Sequence, residues 1–419
     1  MQIVIHSVSN FIWRLRLALL FACGMFLCDR VIAEETSNRG ELNPRMQQDI
    51  SDLQRALIRE EVTGSNIVVV SQAGKVIYES IENSGKAGDR EITHKTLFPI
   101  WSMSKPVTIV AMLKLHEQGL FDWEDPVAMY IPCFKDLVVR EGTTVRPART
   151  PLRIIDLMTH RSGYGYYAWD GLPAEHSQPE ANQTRFRDLQ EFCEVAARYP
   201  LEFDPGTDFM YGNSQGILGR LAEVLSGKSF YGYLKTAVFE PLQMKDTSFS
   251  LDTQRRERFQ PLFINTENLK GFTHLLDELN YSPKSRAHFG GDGLISSPED
   301  YSRFCEMLLQ RGVYQNNRLV SENSLQTMTE VYSEGIMPDA WPGIDMGFSV
   351  FVLSKTDSET SKAPKGIYGW SGYHNTHFWI DPTNDLYVLF MTRAREFTFD
   401  IPKRLRQAVY GLKRGIEAP

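Results

Sequence analysis

The sequence predicts an α+β fold, with one antiparallel β-sheet built from both chain ends, flanked by helices, and a mostly helical region inserted at about 120–290. Three observations predict it. A hairpin pattern stands near the start, and β-rich runs separated by turn residues fill the last hundred residues or so. Between them, helical signals dominate, and the regular β-α-β-α alternation of a parallel sheet is missing.

Residues 1–33 have the layout of a secretory signal peptide. Arg14 and Arg16 flank the short apolar run Leu17–Cys28, and Val31-Ile32-Ala33 offers small or apolar residues to a peptidase. The run is too short for a comfortable membrane span; the alternative is an uncleaved anchor. The leader is set aside from the fold, and it places the protein in the periplasm or outside the cell. No stable membrane span is expected after its removal.

The elements then follow in order. Residues 50–62 read as a polar-faced helix. Asn66–Ser71 and Lys75–Glu79 read as strands joined by a tight turn at Ala73-Gly74. A helix rich in Val, Ile, Leu and Met is expected over Ser104–Gln118, stopped by Gly119. The middle is read as helical over Pro151–His160, Ser214–Leu225 (ended by Gly227) and Phe230–Phe239. Ser297-Pro298-Glu299-Asp300 is a helix start, with an N-cap, proline at the first position and two acids in the first turn; that helix runs to Gly312. Strands are expected at Gly347–Leu353, His377–Asp381 and Leu386–Met391, then an amphipathic helix over Ile401–Leu412.

The formal net charge is −7, which argues against nucleic acid or an anionic membrane as the main partner. Beyond the leader, Cys133, Cys193 and Cys305 are too few and too far apart for a disulfide framework, although one pair could form. The nine histidines include no H-E-x-x-H pair, so neither a metal nor another cofactor is expected.

Three segments carry chemistry. In Trp101-Ser102-Met103-Ser104-Lys105-Pro106, the proline suits a first helical turn and puts Ser102 at the helix N-terminus. Residues three apart share a helix face, so the Lys105 amine can lie beside the Ser102 hydroxyl. A serine hydroxyl needs such a base, and the amine must reach its neutral form to act as one. The second segment, Tyr211-Gly212-Asn213, supplies a phenol that can shuttle a proton and an amide that can hold the lysine. The third, Gly369-Trp370-Ser371-Gly372-Tyr373-His374, has a glycine on a strand where backbone can approach a ligand. Each has a bland reading too: a chance Ser-x-x-Lys, a core tyrosine with its hydroxyl satisfied, an ordinary strand end.

Together, Ser102-Met103-Ser104-Lys105, Tyr211-Gly212-Asn213 and Trp370-Ser371-Gly372 resemble the serine β-lactamase and penicillin-binding-protein superfamily. The tyrosine form is similar to the class C β-lactamases and to related esterases and D-aminopeptidases. Leu157–Gly163, Gly290–Leu294 and Phe378–Pro382 strengthen the likeness, which runs from about residue 50 to 395. It implies a single catalytic domain over 34–419 with a β-lactamase/transpeptidase-like fold. It also implies acylation of Ser102, general acid–base work by Lys105 and Tyr211, and a lysine ordered by Asn213. An oxyanion hole would come from the Ser102 and Tyr373 N–H groups.

The chain departs from antibiotic-destroying members at one place. They carry lysine or histidine first in the third motif, which helps hold the substrate carboxylate; Trp370 cannot supply that charge. His374 is a partial substitute, or else a neutral histidine hydrogen-bonded at the rim; with Asn213, Trp370, Gly372 and Tyr373 it is expected to bind the substrate. The expected substrates are therefore small esters, amides or D-amino-acid peptides, ahead of efficient β-lactam hydrolysis by a class C-like enzyme. From another functional class, a catalytically silent binder of cell-wall peptides is weighed against these. The aromatic loop residues Tyr164, Tyr166, Tyr167 and Trp169 are expected to border the pocket.

A rival motif exists. Gly212-Asn213-Ser214-Gln215-Gly216 fits the G-x-S-x-G nucleophile elbow, which would make Ser214 the nucleophile of an α/β-hydrolase. That fold needs parallel strands alternating with helices, and the pattern here lacks them.

Overall fold

The computed structural model describes residues 43–166, 186–338, 343–355 and 361–411. The leader 1–33, the loop aromatics Tyr167 and Trp169, and the last residue expected in the final helix, Leu412, lie outside the described residues.

Helix α1 (Pro44–Arg59) leads into the hairpin of β1 (Asn66–Gln72) and β2 (Lys75–Glu82). Ala73 and Gly74 both take positive φ, 50° and 74°, as a two-residue turn matched to strand twist requires. Helix α2 (Ser104–Glu117) follows, then α3 (Ser214–Ser226) and α4 (Pro298–Leu309). The Ser297 side chain accepts from the Asp300 N–H and so caps α4. The chain returns as β3 (Ile344–Met346), β4 (Phe351–Leu353), β5 (Tyr368–Gly372), β6 (Thr376–Asp381) and β7 (Leu386–Met391), and α5 (Asp400–Tyr410) follows.

These seven strands form one antiparallel sheet in the order β3-β4-β5-β6-β7-β1-β2. The β1–β7 pairing, with Ile67 opposite Met391, joins the two chain ends as expected. Among the described residues, the inserted region carries most of the remaining helices and two small hairpins, Val138–Pro147 and Leu262–Thr273.

One expected strand is two. The expected strand Gly347–Leu353 is interrupted: residues 347–350 make the turn between β3 and β4, with the Gly347 N–H bonded to the Val350 carbonyl at 2.9 Å. Phe348 and Val350 are buried in that turn, so the apolar alternation is the same in either arrangement.

Both sheet faces are covered. Ile67, Val69, Leu389 and Met391 belong to the main core, against which α4 packs on β6, β7 and β1. Val68, Val70, Val388 and Phe390 point the other way and are buried too. This explains why β1 and β7 read as unbroken apolar runs. On that second face, Gln54 of α1 donates to Asn66 Oδ1 and to the Ser80 carbonyl, while Trp379 Nε1 donates to the Tyr410 hydroxyl of α5 at 2.9 Å.

Helix α2 is buried on all sides: eleven of its fourteen residues are inaccessible. Its apolar stretch Val107–Leu113 presents no polar face to solvent, as in a helix buried in a protein core, and each buried Val, Leu or Ile there contributes about 1.5–3 kcal/mol. The element that starts at the Ser102 turn is therefore among the least free to move. Among the described residues the three cysteines are free thiols, Cys193 and Cys305 buried and Cys133 exposed.

The Tyr410 hydroxyl also donates to Asp381 Oδ2 at 2.9 Å. Tyr410→Phe leaves the buried Trp379 N–H without its acceptor, and is expected to cost about 1–3 kcal/mol in urea unfolding with little change in the active-site cleft.

Candidate active site

Ser102 lies in a single 3-10 turn, Trp101–Met103, that runs directly into α2. Lys105 is on the first turn of α2 and completely buried. Its Nζ donates to Ser102 Oγ at 3.0 Å. The Tyr211 hydroxyl, from the segment just before α3, donates to the same oxygen at 2.8 Å. The amine also lies 4.7 Å from the centre of the Tyr211 ring. Three residues separated by up to 109 positions thus converge on one oxygen.

The lysine is ordered differently from expectation. Its second bond, at 2.7 Å, goes to the Gly291 carbonyl, whereas the Asn213 amide donates to the Gly165 carbonyl at 3.1 Å. The whole Gly290–Leu294 stretch laces along the start of α2. Thr108 Oγ1 donates to Gly290 O, the Leu294 N–H to Ser104 Oγ, and the Ile100 N–H to Leu294 O. This glycine-rich stretch was visible in the sequence, but a carbonyl acceptor leaves no side-chain signature.

Two glycines permit close backbone crossings. A Cβ at Gly212 would come within 2.1 Å of the Tyr164 carbonyl, so that segment can pass only glycine. A Cβ at Gly372 would meet the Ile100 carbonyl at 2.4 Å and Thr376 Oγ1 at 2.3 Å. The close approach expected at Gly372 is therefore to the Ser102 turn itself. Strand β5 is pressed against residues 100–102, and Tyr373 follows directly after that contact.

Trp370 and His374 sit elsewhere than expected. Strand alternation turns Trp370 into the core, where it backs the Tyr211 ring at 5.6 Å instead of facing a substrate. His374 is not at the rim: it is 1% exposed and has both ring nitrogens engaged, one by Trp101 and one by Glu278. Burial drives its pKa down to about 4, against the raising effect of Glu278, so it offers no cation to a substrate. Burial alone would raise Glu278, but the His374 hydrogen bond and the Arg395 and Arg393 charges bring it below the usual carboxylate value. His160 packs 4.8 Å from the Tyr211 ring, and burial, helped by the Lys105 charge, pushes its pKa well down.

Ser214 begins α3 but is buried, and its hydroxyl is paired with that of Ser162 at 2.9 Å. With an antiparallel sheet and no strand leading into it, the nucleophile-elbow reading does not describe this fold. Tyr166 and Phe289 enclose a small space with Gly212, Asn213 and Gly291, and the Lys105 amine lies 5.6 Å from the Tyr166 ring centre.

Because Gly372 has no room for a methyl group, Gly372→Ala must displace β5 from the Ser102 turn. Labelling of Ser102 by a fluorophosphonate is expected to slow about a hundredfold, with far-UV circular dichroism unchanged.

The family model described as Beta-lactamase matches residues 53–411. Among curated relatives, Protein Rv1367c of Mycobacterium tuberculosis is 27% identical over 311 residues, 71% of this chain and 77% of that protein. Esterase EstB of Burkholderia gladioli is 25% identical over 377 residues, 84% of this chain and 92% of its own. Among solved structures, EstCE1, described as a hydrolase with promiscuous acyltransferase activity, superposes with a TM-score of 0.74 at 20% identity. That superposition covers 88% of this chain and 99% of the other. With the family model spanning nearly all of the described fold, this chain belongs to the beta-lactamase family and is a serine hydrolase of that family.

Proposed function

We propose that this protein is an exported hydrolase that forms an acyl-enzyme at Ser102 and acts on small esters, with amides and D-amino-acid peptides as further substrates. One observation carries the reading: an amine at 3.0 Å and a phenol at 2.8 Å from one serine oxygen at the start of a buried helix.

In the first step Ser102 Oγ attacks the substrate carbonyl carbon, and its proton passes into the Lys105–Tyr211 pair. The carbonyl π electrons move to oxygen, which the Ser102 and Tyr373 N–H groups stabilise; one such donor is typically worth about 2.7–4 kcal/mol. As the tetrahedral centre collapses, Tyr211 returns the proton to the leaving oxygen and the alcohol departs. Water then attacks the acyl group, giving up a proton to the same pair. Ser102 leaves the carbonyl carbon, takes a proton back, and the carboxylic acid is released. A pure binding protein has no need of an activated serine, which weighs against the silent peptide binder.

Ester preference is supported by what surrounds the pair. No lysine or histidine opens the third motif, Trp370 is turned inward, and His374 is neutral, so the sites where a β-lactam carboxylate would seek a cation are apolar or uncharged. The likeness to EstB, named as an esterase, points the same way. Export rests on the leader alone. N-terminal sequencing of the protein recovered from a periplasmic or secreted fraction should begin at Glu34; an N-terminus at Met1 would count against it.

A parallel turnover screen against p-nitrophenyl esters, nitrocefin and D-alanyl peptides tests the substrate order. The short-chain esters are expected to be fastest and nitrocefin slow. Ser102→Ala should abolish turnover, and Tyr211→Phe should lower kcat by about 10²–10⁴-fold. Ester turnover that survives Ser102→Ala but not Ser214→Ala would overturn the assignment.

A further inference from the structure

Beside the Ser102 turn lies a part-buried polar chain, with His374 fully buried at its centre, that the reaction above leaves unused. Trp101 Nε1 donates to His374 Nδ1 at 2.9 Å, and His374 Nε2 meets Glu278 Oε2 at 2.5 Å. Glu278 Oε1 in turn pairs with Arg395 Nη1 at 2.9 Å. An indole N–H can only donate, so His374 Nδ1 carries no proton. The ring proton is on Nε2, where it donates to Glu278, and this one neutral tautomer satisfies both bonds.

The chain is anchored at both ends. The buried Arg393 donates to the Gln260 and Leu276 carbonyls, each at 2.8 Å, and so fixes the backbone just ahead of Glu278. Asn375, next to His374, donates to the Ala394 and Glu396 carbonyls and accepts from the Thr398 N–H. The His374 turn is thereby pinned to the segment after β7.

What this chain grips is an unusual residue. Trp101 has φ of 45°, in the left-handed region that a residue with a side chain leaves unless held there. Its ring is bracketed edge-on by Tyr373 at 5.2 Å and His374 at 4.9 Å. Relaxing φ at Trp101 would swing the peptide that joins it to Ser102, moving the Ser102 N–H and the start of the turn together.

We propose that Glu278 and His374 are positioning residues: through the Trp101 indole they hold that residue left-handed, and so aim the Ser102 hydroxyl and N–H at the incoming carbonyl. The proposal rests on Ser102 being the nucleophile.

The test compares Trp101→Phe, His374→Leu, His374→Gln and the Trp101→Phe/His374→Leu double variant with the parent protein. Two readouts are the rate of fluorophosphonate labelling at Ser102 and the kinetics of p-nitrophenyl butyrate hydrolysis. Trp101→Phe and His374→Leu should each slow labelling and lower kcat by about tenfold to a hundredfold, with KM held within about threefold. The double variant should be no slower than the worse single one, because both break the same link. His374→Gln should recover most of the rate, since its amide can accept from the indole and donate to Glu278. Parent-like rates in the single variants, additive losses in the double, or a Gln variant as slow as the Leu variant would each overturn the relay. A parent protein that does not label at Ser102 overturns the nucleophile assignment and the relay with it.

Discussion

The hydrogen bond from a fully buried lysine to a serine one helical turn earlier is the constraint around which the rest of this structure is arranged. Such a bond has a defined length only if both ends are fixed. Lys105 is fixed because α2 is packed on all sides and because the Gly291 carbonyl holds its amine from behind. Ser102 is fixed by a single 3-10 turn whose first residue, Trp101, is left-handed. Neither the helix nor the turn would keep this geometry alone, since a buried amine left without acceptors is costly.

The sheet serves the same constraint from the other side. Strand β5 approaches the Ser102 turn so closely that only glycine fits at position 372, and β6 carries the chain back into the doubly buried centre of the sheet. Strand β5 and helix α2 thus both bear directly on the Ser102–Lys105 pair. Inward-facing Trp370 then supports Tyr211 from below. The residue that leaves the third motif without a cation thus also packs against the Tyr211 phenol ring.

Much of this was legible in the sequence, for physical reasons that can be named. The sheet built from both termini showed itself because β1 and β7 are long apolar runs bounded by turns, and α2 because it is apolar without a polar face. Ser102, Lys105 and Tyr211 could be singled out because their chemistry depends on side-chain type and on spacing along a helix. What escaped depends on backbone or on burial. The Gly291 carbonyl that orders the lysine has no side chain to announce it. The inward turn of Trp370 follows from strand register, and His374 was placed at the rim because nothing local shows that Glu278, nearly a hundred residues earlier, closes over it. The split of Gly347–Leu353 was hidden since a tight turn with buried residues keeps the alternation of a strand.

The most direct test of the account is acid quenching during turnover of a p-nitrophenyl ester, followed by peptide mapping of the trapped protein by mass spectrometry. An acyl group on the peptide containing Ser102, mapped to that residue and absent from Ser102→Ala, is the predicted result. An acyl group found on Ser214, or steady ester turnover with no covalent species at either serine, would contradict it.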